Sequence, residues 1–286
     1  MPELPEVHAL VRDLDTRLNG RSIARFEVAS ISALKTFDPP VTAVEGVPLG
    51  PVTRHGKFLD VGAGDLHVII HLARAGWIRW VSAVADHPRR PGKSPLAARL
   101  VLDDGSGLDV TEAGTKKSLA IYVVRAASEV AGIARLGADP LDDSFTLRSL
   151  AGILAGAGRA QIKGVLRNQS VIAGIGNAYS DEILHVARMS PFKPASMPPA
   201  DVEVLFEAMQ VTLRDAIARS DGLAASELKK EKKSGMRVHG RSGQACPICG
   251  DVVRDVKFAD SSLQYCATCQ TGGKPLADRV LSRLLK

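Results

Sequence analysis

Two groups of residues, one toward each end of this 286-residue chain, have the types and spacing for chemistry. The first is Met1-Pro2-Glu3-Leu4-Pro5-Glu6. A proline behind an initiator methionine is small enough for the methionine to be removed, and the new terminus is then a secondary amine. An α-amino group titrates near pH ~8, against ~10.4 for a lysine, so a useful fraction is nucleophilic at neutral pH without deep burial. Attack of such an amine on a sugar or carbonyl carbon gives an iminium, an electron sink for elimination. Glu3 beside it can donate or take the protons that this chemistry moves. The plainer reading is a helix start, since Pro5 suits a first turn and the glutamates suit the positive end of the helix dipole. That reading leaves Pro2, ahead of the helix, unexplained.

The second group is Cys246-Pro-Ile-Cys249 and, sixteen residues on, Cys266-Ala-Thr-Cys269. Two close thiolate pairs at this spacing suit one tetrahedral zinc, and Gly250 permits the tight turn that follows the first pair. Two disulfides are the competing reading, disfavoured for an intracellular protein. The chain has no other cysteine, so the expected cofactor is one structural Zn2+, fully ligated and without an open position for catalysis.

These groups need elements to hold them. Val7, Leu10, Val11, Leu14 and Leu18 recur at helical spacing, and Asn19-Gly20 closes that helix. Strand-like runs then dominate to about residue 127, among them SIARFEV, KFLDVGAGDLHVIIHL, GWIRWV and LAARLVLDDGSGLDVT, with hairpin signals at GAGD and DDGSG. An antiparallel β-sandwich or barrel follows. HPRRPGKSP (87–95) reads as an exposed basic loop between strands. The stretch RLGADPLDDSF changes the character, and helical patterns follow over roughly 145–220: Leu147, Leu150 and Leu154, then Ile183, Leu184 and Val186, then Asp201 to Arg219. LAASELKKEKKSGMRVHGRSG, rich in charge, reads as a mobile basic loop, and the strand-like DVVRDVKF and SSLQY frame a zinc-bound hairpin. Val280, Leu281, Leu284 and Leu285 could dock a short terminal helix. The expected class is α+β and multidomain: an N-terminal helix plus antiparallel β-sandwich (1–135), a helical module with the basic loop (136–240), and the zinc hairpin with its extension (241–286). The net charge of +6 and pI of about 9.2 favour an anionic partner, nucleic acid first. Scarce aromatics argue against extensive base stacking. No apolar run reaches spanning length and the first stretch is charged, so a soluble, cytoplasmic protein without a membrane partner is expected.

The combination resembles the formamidopyrimidine-DNA glycosylase / endonuclease VIII family of base-excision repair enzymes, over nearly the full length. MPELPEV matches the family's start, RHGKFLDV its lysine-bearing hairpin, HLARAG its strand-end HLGMSG, and LGADPL its interdomain stretch. IKGVLRNQSVIAGIGNAYSDEIL matches its helix-two-turns-helix signature, and CPICG…YCATCQ its zinc finger. The resemblance implies a bifunctional DNA glycosylase/AP lyase, a monomer acting on damaged double-stranded DNA. In that scheme Pro2 attacks C1′ of the deoxyribose, Glu3 protonates the ring oxygen, and β-elimination cuts the 3′ side. Glu6 orients this end of the chain, and Lys57 holds a phosphate beside the lesion. Lys163 and Asn177 match phosphate-binding positions, and Gly174 and Gly176 permit close backbone approach where a helix starts at Asn177. The target base must leave the stack to be reached.

The chain also departs from the family pattern. Arg74 stands where a methionine usually fills the gap left by the flipped base. EAGTKKSL replaces the DPRRFG loop, so Lys116 and Lys117 offer charge to DNA without an aromatic wedge. The family's histidine is missing from GKSPLAARLVL. Ser261 replaces the finger arginine that grips phosphates and assists the second elimination. These departures favour a second reading, a damage- or structure-specific DNA-binding protein with little glycosylase activity. Intact Pro2, Glu3 and Lys57 oppose it.

Overall fold

Helix α1 (Leu4–Leu18) forms where the apolar spacing places it, and its face of Val7, Leu10, Leu14 and Leu18 is buried. The computed structural model describes residues 1–84, 95–258 and 261–277. Most of the basic loop expected at 87–95, and the tail carrying Val280, Leu281, Leu284 and Leu285, lie outside the described residues. The chain divides into two units, and each is built differently.

The first unit comprises Met1–Leu136 and Ser220–Lys229. After α1 come β1 (Ile23–Val28), β2 (Leu49–His55), β3 (Phe58–Ala63), β4 (Leu66–His71), β5 (Gly76–Val81), β6 (Leu96–Leu102), β7 (Gly107–Glu112) and β8 (Ala120–Val124), then the short α2 (Ala131–Ala134). One sheet runs β1-β6-β7-β5 and the other β2-β3-β4-β8, with antiparallel neighbours throughout. Residues of both sheets and of α1 share one apolar core, as the alternating patterns expect of a sandwich. The β1-β6-β7-β5 sheet carries a charge ladder. Register sets Glu27 beside Arg99, Arg99 beside Asp109, and Asp109 beside Arg79. Asp109 is fully buried and takes Arg99 Nε at 2.6 Å, Arg99 Nη2 at 2.9 Å and Arg79 Nη2 at 2.7 Å. Burial alone would raise its carboxyl; the two guanidinium groups outweigh that and hold it below the usual range.

The second unit comprises Gly137–Arg219 and Lys230–Lys286. It holds α3 (Leu147–Ala157), α4 (Ile162–Arg167), α5 (Asn177–Val186) and α6 (Pro199–Ser220). Leu150, Leu154, Ile162, Leu166, Ile183, Leu184, Leu205 and Leu213 fill its core. Thr146 caps α3 by accepting the Ser149 N–H at 3.3 Å. Helix α7 (Leu228–Gly235) is followed by β9 (Val253–Lys257) and β10 (Ser262–Cys266), an antiparallel hairpin, and by α8 (Ala267–Thr271).

The mobile loop expected at 223–243 is not what forms: α7 occupies its middle, and the chain on either side is docked. Ala225 and Leu228 are buried in the first unit's core, and Trp77 Nε1 donates to the Ala225 carbonyl at 3.0 Å. The ammonium of Lys229 sits 4.5 Å above the Trp77 ring, that of Lys232 4.8 Å above Tyr179, and Arg219 pairs with Glu231 at 2.8 Å. Two of the four lysines that suggested a solvated run, Lys229 and Lys232, cover aromatic faces with their charged heads. Among the described residues, no helix is long and apolar enough to cross a membrane.

Candidate functional site

The N-terminal residues are held by the first turn of α1. Glu3 is the N-cap, and its N–H donates to the Glu6 carboxylate at 2.8 Å, the return half of a capping box. Both glutamates are about 1% exposed, and Pro2 is buried, while Met1 projects to solvent. A carboxylate at this depth usually destabilises a core. Here the amide ends of the helix make the position favourable for negative charge. Glu6 therefore fixes the backbone that carries Pro2 and Glu3.

Lys57 lies in a two-residue turn, because His55 pairs directly with Phe58. Gly56 takes φ +55°, a conformation costly for other residues, and so lets β2 return into β3. Arg54 Nη1 donates to the Gly56 carbonyl at 3.1 Å. Asp60 on β3 is buried and accepts from His55 Nε2 at 2.9 Å and His67 Nδ1 at 2.8 Å. Burial would raise the Asp60 carboxyl, but those two hydrogen bonds and the histidine charges hold it below its usual range. Lys57 is 9% exposed, unlike an ordinary hairpin lysine. The Phe58 and His71 rings lie 4.4 Å apart, tilted by 33°, and burial pushes the His71 imidazole down to about 4, with the Lys57 charge acting in the same direction.

The other expected contacts are distributed. Arg74 is exposed in the tight turn closed by the Gly76 N–H on the Leu72 carbonyl. Lys116 is exposed, whereas Lys117 Nζ folds back onto the Glu112 carbonyl at 2.6 Å. Lys163, expected at a phosphate-binding position, sits in the first turn of α4. It is 5% exposed, and its ammonium donates to the Asn177 carbonyl at 3.1 Å, to Ser180 Oγ at 2.7 Å and to Asp181 Oδ1 at 2.7 Å. These contacts brace the start of α5. Asp181 Oδ2 in turn meets His239 Nδ1 at 2.7 Å. The turn before α5 is also braced from within: Gln169 accepts the Gly174 N–H at 3.0 Å and donates to the Ile175 carbonyl at 2.6 Å. Asn177 Nδ2 donates to the Ser262 carbonyl of β10 at 2.7 Å, which ties the turn to the hairpin. Ser261 stands beside that contact and accepts the Phe258 N–H at 2.7 Å.

The four cysteine Sγ atoms all lie within 4.8 Å of one another. Cys246 and Cys269 are 3.9 Å apart, and Cys249 and Cys266 3.4 Å. Tetrahedral Zn–S bonds of ~2.3 Å require sulfur separations of about 3.8 Å. The donor set therefore fits one structural zinc held by Cys246, Cys249, Cys266 and Cys269, and none of its geometry suits a pair of disulfides.

Several supporting residues carry no local sequence signal. Asp60, His55 and His67 are spaced as ordinary strand residues. Glu182 is a buried helix residue whose carboxylate accepts the backbone N–H groups of Arg237, Val238 and His239. Their partners are distant in sequence, and only the fold assembles them.

Comparison with known proteins fits this geometry. The family model for the formamidopyrimidine-DNA glycosylase N-terminal domain matches residues 1–116, that for the H2TH domain residues 136–227, and that for a zinc finger found in FPG and IleRS residues 243–272. The formamidopyrimidine-DNA glycosylase of Symbiobacterium thermophilum is 33% identical over 280 residues, spanning 94% of this chain and 89% of its own length. A formamidopyrimidine-DNA glycosylase-like protein of Mycobacterium tuberculosis is 60% identical over 152 residues, 53% of this chain and 94% of its own. The MutM (FPG) crystal structure from Thermus thermophilus superposes with a TM-score of 0.78 at 28% identity, covering 96% of this chain and all of that one. Lactococcus lactis Fpg bound to abasic-site DNA has the same fold, with a TM-score of 0.82 at 23% identity over 94% and 99% of the two chains. A full-length relative at this identity, together with three domain matches in the expected order, establishes that the chain belongs to the formamidopyrimidine-DNA glycosylase family.

Proposed function

We propose that this chain is a bifunctional DNA glycosylase/AP lyase that excises an oxidised base from double-stranded DNA through an N-terminal proline. The observation that carries the reading is the placement of Pro2 and Glu3 on the cap of α1, with Glu6 hydrogen-bonded to the Glu3 N–H. After loss of Met1 the Pro2 nitrogen attacks C1′, and the glycosidic bond breaks as the base departs with a proton. Glu3 protonates the sugar ring oxygen, the ring opens, and the Pro2 iminium forms. The iminium acidifies C2′; loss of that proton expels the 3′ phosphate, and water then releases Pro2 from the product. Lys57 holds a phosphate beside the lesion, and its turn is set by Gly56 and Arg54. Arg74, Lys116 and Asn177 contribute to DNA binding, while Lys163 acts through the turn it braces. Zinc supplies structure only, by fastening the hairpin.

Borohydride reduction tests the covalent step. The native protein should form a stable adduct with an abasic duplex, and a form whose terminus is blocked by a retained Met1 should not. An undiminished adduct from the blocked form would overturn the Pro2 assignment. Ser261 and Arg74 favour the second reading, DNA binding with little glycosylase activity. Tight binding to lesion duplexes, without adduct formation or base release from a panel of single-lesion oligonucleotides, would establish it.

A further inference from the structure

Helix α5 ends against the zinc knuckle. His185, in its last turn, is 2% exposed and brings Nε2 to 3.3 Å from Cys246 Sγ. The other ring nitrogen, Nδ1, is buried and has no hydrogen-bonding partner among the described residues. These two facts place the proton. A single N–H on Nδ1 would bury an unsatisfied donor and turn a lone pair toward the sulfur. An N–H on Nε2 donates to the sulfur and leaves only an acceptor unmatched. A doubly protonated ring would present the same Nε2–H, so the contact does not depend on the charge state.

The knuckle has a place for such a donor. Four thiolates on one dication leave net negative charge on the sulfurs, and N–H donors disperse it. Cys249 receives the Asp251 backbone N–H, and Cys266 the Cys269 backbone N–H at 3.5 Å. Cys246 is 2% exposed, so bulk water does not serve it, and the donor that reaches it is His185.

We propose that His185 is an outer-sphere donor to the Cys246 thiolate, a positioning residue that slows zinc loss and ties the metal to helix α5. The helix is then fastened to the finger at both ends. Asn177 at its start holds the Ser262 carbonyl, and His185 at its end holds a metal ligand. Just beyond the helix, Gln270 Nε2 donates to the Met189 carbonyl at 2.9 Å. Outer-shell partners of this kind are commonly worth about 10- to 100-fold in metal affinity.

The test uses full-length, zinc-loaded protein and a chromophoric chelator. His185→Phe, which keeps the bulk and removes the donor, should release zinc on the order of 10-fold faster. His185→Gln, whose amide N–H can reach the sulfur, should restore much of the retention. Release from His185→Phe at the native rate overturns the proposal. Equal losses from both variants overturn it too, because packing rather than the hydrogen bond would then be responsible. A variant-free measurement covers a fold that does not tolerate the change: nitrogen NMR of the native zinc-loaded protein should find the His185 proton on Nε2. A ring protonated only on Nδ1 refutes the assignment.

Discussion

His71 and Lys57 are linked by charge, and the link has a direction. The unfolded imidazole titrates near 6.5, and in the fold burial first and Lys57 second push it down to about 4. The unfolded chain therefore binds more protons through that interval. Stability is fully present above pH ~6.5 and falls as pH drops toward about 4, by at most about 3 kcal/mol for this one group. Urea unfolding at neutral pH and near pH ~5 measures it, and His71→Gln should lose less stability between the two than the native protein does. Lys57→Met should let His71 titrate closer to its ordinary value, read from its ring resonances. Burial remains in that variant, so the return is partial. Full retention of the depressed value would mean that Lys57 exerts no field at His71. Of these residues, sequence alone singles out Lys57 by its hairpin. It does not find Asp60, and it marks Lys163 without its pairing to Asp181, because a buried ion pair is defined by a partner, and the partners lie on other elements.

At the scale of elements, legibility followed the range of the interactions. The two-residue turn at Gly56, the Asn19 end of α1 and the paired C-x-x-C motifs each act over a few residues, and each formed where its local chemistry required. The misread element is the lysine-rich segment at α7. Its partners are distant in sequence: Trp77 lies 148 residues before Ala225, and Tyr179 lies under Lys232. A charge run has no apolar periodicity, so nothing local announces that its lysine heads will lie over rings. The charge ladder on the β1-β6-β7-β5 sheet behaves similarly, since strand order is needed to see that signs alternate across it. Asp109→Asn would leave the buried Arg99 guanidinium uncompensated and should cost about 3–5 kcal/mol in denaturant unfolding. A cost below about 1 kcal/mol would match a surface pair instead. The hairpin of β9 and β10 carries a different expectation. Ser261 supplies no positive charge, so abasic duplex should be cut mainly to the β-elimination product, separated by gel from the δ-product. Ser261→Arg should raise the δ-product and steepen the salt dependence of binding by about one phosphate. Predominant δ-product from the native chain would show that another residue has taken that role, with Lys257, opposite Ser262 in the ladder, the first to substitute.

For the molecule as a whole, the proposed reading puts the zinc hairpin and the reacting amine at opposite ends of the chain. Zinc fastens the hairpin that receives Asn177, so its removal reaches the turn before α5. Cys249→Ser should lose both zinc and DNA affinity, since such small modules fold with their metal. Full affinity in protein verified to be metal-free would exclude the hairpin from DNA binding. Pro2, by contrast, lies buried one residue ahead of α1, with only the N-cap Glu3 between the amine and the helix. On the proposed chemistry, a chain translated from an upstream in-frame start, or carrying an affinity tag ahead of Pro2, would fold, load zinc and find lesions with its nitrogen locked in a peptide bond. It would sit on damage that it could not cut and screen that damage from active copies, so a misplaced start codon would yield a dominant inhibitor of repair, not a merely inactive enzyme.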